Sequence, residues 1–160
     1  MSVTKEFIRH SNLIEGVDNE AEDKQCWEAW LWLKDQKIIS QIVMLELHRK
    51  IMINQMGNIA GHFRNVQVYV GNHVPPNGEI MRGQLYGWGL DLLERYDKFT
   101  PREMHVRFEK IHPFLDGNGR TGRMLMWWHE LKVGQDPTMI RSNEADRHYY
   151  YQWFRENDDD

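Results

Sequence analysis

Cysteine is nearly absent from this 160-residue chain. Cys26 stands alone, so no disulfide can close within it and the fold must hold by packing. A lone thiol also fits a reducing compartment. Long apolar runs are missing too. No stretch of eighteen apolar residues occurs, which excludes a spanning helix and argues against a membrane partner. The opening Met1-Ser2-Val3-Thr4-Lys5-Glu6 lacks the apolar core of a secretory leader, so a cytoplasmic location is expected. There is no basic excess: the formal net charge is −4, whereas nucleic-acid binders carry a surplus of Lys and Arg. Repeats, low-complexity tracts and linkers are likewise missing, which leaves one domain over residues 1–160. What is abundant is apolar and aromatic. Hydrophobic residues make up 41% of the chain, with seven Trp, six Tyr and six Phe, enough for a real core.

Most of the chain reads as helix. Glu20–Lys34 and Ile38–Met52 carry apolar residues at helical spacing. Val66-Gln67-Val68-Tyr69-Val70 alternates instead, as a strand does. Gly71-Asn72-His73 then supplies a turn, and Pro75-Pro76-Asn77-Gly78 forbids both helix and central strand. The expected fold is therefore mainly α-helical with a short β-hairpin over residues 66–76. Helix resumes over Glu79–Tyr96. Thr100-Pro101-Arg102-Glu103 is a helix start, with Thr as cap, Pro first and Glu three after the cap. That helix should end near Ile111, because Pro113 disfavours helix at the residue before it. Two more helices are expected over 119–131 and 143–156, followed by a frayed, solvated tail at 157–160.

The chemistry concentrates in His112-Pro113-Phe114-Leu115-Asp116-Gly117-Asn118-Gly119-Arg120-Thr121-Gly122-Arg123. One helix ends there and another starts near Gly119. The free N–H groups and dipole of a helix N-terminus favour an anion, and glycines let the backbone approach a bulky ligand. Arg120 and Arg123, three apart, offer forked donors to phosphate oxygens. Asp116 is a hard oxygen ligand of the kind Mg²⁺ takes beside phosphates. His112 titrates near neutrality and can accept a proton. Each residue alone has an ordinary reading as cap, turn or solvated face. Together they are the parts that phosphoryl-type transfer requires.

This string resembles the signature of the Fic family, His-Pro-Phe-x-(Asp/Glu)-Gly-Asn-Gly-Arg-x-x-Arg, at every fixed position. Gly61-His62-Phe63-Arg64 with the 66–70 segment and Pro75-Pro76 is similar to the family's flap and its lead-in. His105-x-x-Phe108-x-x-Ile111 and Arg147 to Tyr150 resemble two of its helices. The resemblance implies a protein adenylyltransferase that moves AMP from ATP to a target hydroxyl. In that role His112 is the base and Asp116 holds Mg²⁺. Gly117, Asn118 and Gly119 line an anion hole, with Asn118 aimed at the α-phosphate. Arg120 and Arg123 hold the β- and γ-phosphates, and Phe114 braces the loop. The flap, with Val68, Tyr69 and Val70, would pair its edge with the target protein.

Ser11-Asn12-Leu13-Ile14-Glu15-Gly16 resembles the family's inhibitory motif, (Ser/Thr)-x-x-x-Glu-(Gly/Asn). Its ordinary reading is a helix stub capped by Ser11 and stopped by Gly16. Beside a complete signature it implies a brake in which Glu15 pairs with Arg123, as in the family's N-terminally inhibited class. Two alternatives stay open: removal of AMP at the same site, and a nucleotide-binding regulatory module of a toxin–antitoxin pair. Homo-oligomers are compatible with the sequence, as is self-modification at Tyr149, Tyr150 or Tyr151. His105 reads as a packed helix residue. His10, His48, His62, His73, His129 and His148 show no ligand spacing; the Trp27, Trp30 and Trp32 group reads as core, and Trp127-Trp128 as core plus one partly exposed ring.

Overall fold

In a computed structural model that describes residues 2–155, the chain forms seven helices: α1 (Lys5–Ile14), α2 (Glu20–Leu33), α3 (Gln41–Met52), α4 (Gly78–Glu94), α5 (Pro101–Ile111), α6 (Asn118–Lys132) and α7 (Glu144–Arg155). The tail expected to fray at 157–160 lies outside the described residues. No described helix is long and apolar enough to cross a membrane.

Local chemistry sets most boundaries. The Thr100 hydroxyl accepts from the Glu103 N–H at 3.0 Å, while the Glu103 carboxylate accepts from the Thr100 N–H at 2.8 Å. Both arms of the capping box are thus closed. The Ser40 hydroxyl takes the Val43 N–H, which starts α3 at Gln41 rather than at Ile38. The N-terminal segment departs from its sequence reading. Ser11 is not a cap: α1 begins at Lys5 and buries Phe7, Ile8, Ser11, Asn12 and Ile14 along one face. It stops as expected at Gly16, which has φ +74°. The N–H groups of Gly16 and Val17 return to Leu13 and Asn12 carbonyls, closing a Schellman motif.

The central element is α6. All but one residue from Asn118 to Glu130 is buried, enclosed by α5 and by contacts from α1, α2 and α3. Trp127 meets Phe7 of α1 and Trp30 of α2 edge-on, at centroid distances of 5.5 and 5.9 Å. A helix buried all round is tolerable only if its polar groups find partners, and Trp127, Trp128, His129 and Glu130 each do. Trp128 is buried as well, where one exposed ring of the pair was expected.

The expected β-hairpin is not formed. Residues 66–76 hold an extended arm, a two-residue turn at Gly71-Asn72 and one isolated bridge, Val70 to His73. Both bridge hydrogen bonds are made, at 3.0 and 2.9 Å. In an antiparallel ladder the next hydrogen-bonded pair would be Val68 with Pro75. Pro75 has no N–H to give, so the ladder stops after one rung. The Gln67 side-chain amide takes its place, donating to the Val68 carbonyl at 3.0 Å and to the Pro75 carbonyl at 2.8 Å. The segment is held to the body by side chains instead. His73 reaches the Lys110 carbonyl at 2.8 Å. Buried Arg64 donates to the carbonyls of Val66, Pro76, Ile111 and His112 and to the Asn77 side chain. One guanidinium therefore ties both feet of the arm to the end of α5.

Candidate active site

His112 is the C-terminal cap of α5. Its φ of 52° lies in the left-handed region, where no other described non-glycine residue sits. Its N–H closes the last helical turn onto Phe108 at 3.0 Å, and its carbonyl accepts from Arg64 Nε at 2.6 Å. The backbone turn therefore aims a half-buried imidazole off the helix end. Burial lowers the His112 pKa. The Glu109 backbone carbonyl opposes that shift, and nearby Arg64 and His73 reinforce it. The ring is thus a neutral acceptor at neutral pH.

The loop from Pro113 to Gly117 is braced from inside. Phe114 is fully buried and lies flat on His48, with centroids 3.7 Å apart and an interplanar angle of 4°. The Asn118 side chain spans the loop, donating to the Phe114 carbonyl at 2.8 Å and accepting the Phe114 N–H at 2.9 Å. The oxygen and one N–H of that amide shape the loop, and the amide nitrogen carries a second N–H besides. Gly117, at φ +83°, has no room for a side chain, since a Cβ would stand 2.7 Å from Met52 Sδ. The next three residues, Asn118, Gly119 and Arg120, open α6, and their N–H groups have no intrahelical acceptor. They form an anion-receiving end beside His112. Asp116, exposed on the loop, accepts the Gly117 N–H at 2.7 Å.

The two arginines part company. Arg123 turns toward α1. It donates to Ser11 Oγ at 2.8 Å, the Ser11 carbonyl at 3.0 Å and Glu15 Oε1 at 2.7 Å, and reaches the Tyr150 hydroxyl at 3.4 Å. Glu15 lies directly over Gly119, so a methyl group there would collide with its carboxylate. Arg120 instead points toward α3, donating to Gln55 Oε1 at 2.7 Å and contacting Met52 Sδ at 3.1 Å. Three residues on a helix differ by about 60° around the axis, and packing sends the two buried side chains to opposite sides. The structure does not bring Arg120 and Arg123 together as a pair.

Four contributors escaped the sequence reading. His48 accepts the Gly61 N–H on Nδ1 at 2.9 Å, which leaves Nε2–H to donate to the Asp116 carbonyl at 2.8 Å. Tyr150 joins Arg123 to His105, whose Nε2 lies 2.7 Å from the Tyr150 hydroxyl. Arg64 holds the His112 carbonyl, and Glu109 lies beneath Gly122. Only Arg64 and Tyr150 left a trace in sequence, as parts of secondary motifs. The others are contacts between distant segments, for which spacing carries no signal. Tyr150 is buried, so among Tyr149–Tyr151 only Tyr149 and Tyr151 have accessible hydroxyl-bearing side chains. Tyr69 and Val70 are exposed on the arm, with Val68 half-buried.

Burial holds His48 down to about 4 and His105 down to about 3. Both lie below the unfolded value near 6.5, so the unfolded chain binds more protons between those limits. Their contribution to stability is complete above about pH 6.5 and falls as pH drops toward 4, whereas the buried Glu109 carboxyl, held up to about 8, acts in the opposite sense. The His48 share alone is about 3 kcal/mol over that range. The difference in urea stability between the parent and His48→Gln is expected to narrow from pH 7 to pH 5; a difference that does not change with pH would contradict the buried, neutral pairing of His48.

An all-helical domain with an open helix N-terminus, a neutral imidazole at its mouth and a buried guanidinium alongside is an anion-receiving domain in class. The chain belongs to the Fic/DOC family, whose model matches residues 38–129. It is 36% identical to the protein adenylyltransferase Fic of Nematostella vectensis, in an alignment 161 positions long that covers 98% of this chain. It is 35% identical over 118 residues to the Culex quinquefasciatus protein of the same name, covering 70% of this chain. The chain spans 36% and 23% of the lengths of these two relatives. Among solved structures, Fic-1 of C. elegans (residues 134–508) matches with a TM-score of 0.76 at 26% identity, covering 96% of this chain and 55% of that one. A Fic domain containing signaling protein from Bacteroides thetaiotaomicron shares the fold, with a TM-score of 0.76 at 22% identity over 93% of this chain and 69% of its own.

Proposed function

We propose that this domain transfers AMP from ATP to a hydroxyl of a target protein, and that Glu15 restrains it. The carrying observation is Glu15, which engages Arg123, lies over Gly119 at the open start of α6, and is near enough to His112 to act on its charge. The relatives named as protein adenylyltransferases support the same reading.

His112 takes the proton of the incoming hydroxyl, and the oxygen attacks the α-phosphorus. The bond to the bridging oxygen breaks, leaving AMP on the target and releasing pyrophosphate. The N–H groups at Asn118, Gly119 and Arg120 receive phosphate oxygens, and Arg123 receives the γ-phosphate once Glu15 withdraws. Asp116 would hold Mg²⁺. It is exposed, has one oxygen on Gly117 and, among the described residues, no hydrogen bond at the other, and it adjoins the start of α6. No cluster of three or more ligating side chains occurs among the described residues, but Mg²⁺ on phosphates needs only one or two carboxylates and takes the rest from substrate and water. Bound there, it would neutralise phosphate charge. Arg120 braces α6 on α3 and keeps Gly117 against Met52. The extended arm Val68-Tyr69-Val70 is the docking edge for the target: among the described residues, the Tyr69 N–H and carbonyl have no backbone partner.

The test uses the protein with Glu15→Gly, Mg²⁺ and ATP labelled in turn on the α- and γ-phosphates. Label is expected to pass from α-labelled ATP only, to the protein itself or an added acceptor, with an AMP increment in the intact mass. Transfer from γ-labelled ATP, or AMP release from a premodified acceptor with no forward transfer, would replace this reading with phosphorylation or AMP removal.

A further inference from the structure

The mechanism leaves one acidic group unused. Glu109 lies on α5 one turn before His112, and its Oε1 is buried without a hydrogen-bond partner. The carboxyl rests on the backbone of α6 at Gly122, next to Arg123. A methyl group at Gly122 would collide with Oε1, and would also meet Phe108 Cδ1 at 2.9 Å and His105 Cε1 at 3.1 Å. Gly122 is the residue that lets this carboxyl lie so close. A carboxylate so placed, with no donor to its buried Oε1 among the described residues, is costly in its charged form.

The groups facing Glu109 are few. From α6 comes the Arg123 guanidinium, and from the end of α1 comes the Glu15 carboxylate. From α7 comes the Tyr150 phenol, whose own ionisation burial pushes up. On α5 itself stand His105, neutral against Tyr150, and His112. Burial pushes the Glu109 carboxyl up to about 8, with Arg123 pulling it down and Glu15 raising it further.

We propose that Glu109 is a proton-coupled positioning partner of Arg123, neutral whenever an anion occupies that guanidinium and ionised when none does. This rests on the reading that a nucleotide phosphate replaces Glu15 at Arg123. The argument is a charge count. With Glu15 in place, Arg123 is already neutralised and a second carboxylate would leave the dry pocket negative, so Glu109 keeps its proton. With Glu15 removed and no nucleotide bound, the guanidinium is unopposed and Glu109 ionises to balance it. When a γ-phosphate arrives, Glu109 must take its proton back or repel the ligand. Nucleotide binding to the unrestrained site is therefore coupled to proton uptake, and Glu109 keeps Arg123 oriented in the interval between anions.

The experiment is calorimetric and needs no turnover. Glu15→Gly protein is titrated at pH 7.5 with the Mg²⁺ complex of α,β-methylene-ATP, whose α–β bond cannot be cleaved, in two buffers of different ionisation enthalpy. About one proton is expected to be taken up per nucleotide bound, and close to none in Glu15→Gly/Glu109→Gln, which should still bind. A second measurement leaves position 109 intact: the Kd of Glu15→Gly should weaken by up to about tenfold per pH unit around pH 7.5, the same linkage read from affinity. Binding without proton uptake, equal uptake in both variants, or a pH-independent Kd overturns the role of Glu109 while leaving the nucleotide site standing. No binding by either variant overturns the nucleotide reading, and this inference with it.

Discussion

Replacing His112 with alanine is expected to lower AMP transfer by a factor of about 10²–10⁴ while leaving nucleotide binding intact, the usual weight of a positioned general base. The two effects separate because the parts are separate. The cradle consists of the first N–H groups of α6 and the Arg123 guanidinium, whereas the imidazole comes from the far end of α5. The loop itself does not depend on the ring. Phe114 on His48 and the Asn118 amide hold it, and Arg64 grips the His112 carbonyl rather than its side chain. Histidine and alanine both bear the left-handed strain at position 112, about 1–2 kcal/mol for an L residue, so most of it cancels between them and a melting curve should show the fold retained. The wild-type rate should also fall on the acid side as the ring protonates, at a pH below the ordinary histidine range because its pKa is lowered. The decisive measurements are label transfer from α-labelled ATP together with nucleotide affinity, both in the Glu15→Gly background. A residual rate within tenfold of the parent would remove His112 from the role of base.

Glu15→Gly is expected to raise AMP transfer by about 10²-fold, the cost that ångström-scale misplacement of reacting groups imposes. Glu15 occupies Arg123 Nη2 at 2.7 Å and lies over Gly119, across the approach to the helix N-terminus. Removing it frees a donor without dismantling the cradle, because Ser11 and Tyr150 still hold Arg123. The loss of stability should stay below the roughly 3–5 kcal/mol of breaking a fully buried pair, since the Glu15 side chain is 37% exposed and partly screened. Glu15→Gln, which keeps the shape and loses the charge, should fall between parent and glycine variant. Equal transfer rates in all three proteins would show that Glu15 is a structural contact alone.

Much of this architecture was readable beforehand, and the reasons are local. The capping box at Thr100–Glu103, the glycine stop at Gly16 and the signature from His112 to Arg123 are short-range patterns, and each appears in the structure where its residues place it. The hairpin failed for a reason the sequence also contained. Alternation in Val66–Val70 predicts a strand, but each rung of a hairpin also needs an N–H, and Pro75 withholds the second.

Chain chemistry alone settles which groups are available: one imidazole before a proline, glycines at a helix start, two arginines three apart, and a carboxylate near the N-terminus. Which of them meet is a matter of packing. Arg120 and Arg123 are near neighbours on a helical wheel, yet burial on every side of α6 commits one to Gln55 and the other to Ser11 and Glu15. Asn118 is drawn into the loop, His48 is carried under Phe114, and Glu109 is laid against Gly122 beside Arg123. These contacts join residues far apart along the chain, and close packing rather than periodicity decides them, because a buried polar group must take whatever partner the neighbouring helix presents.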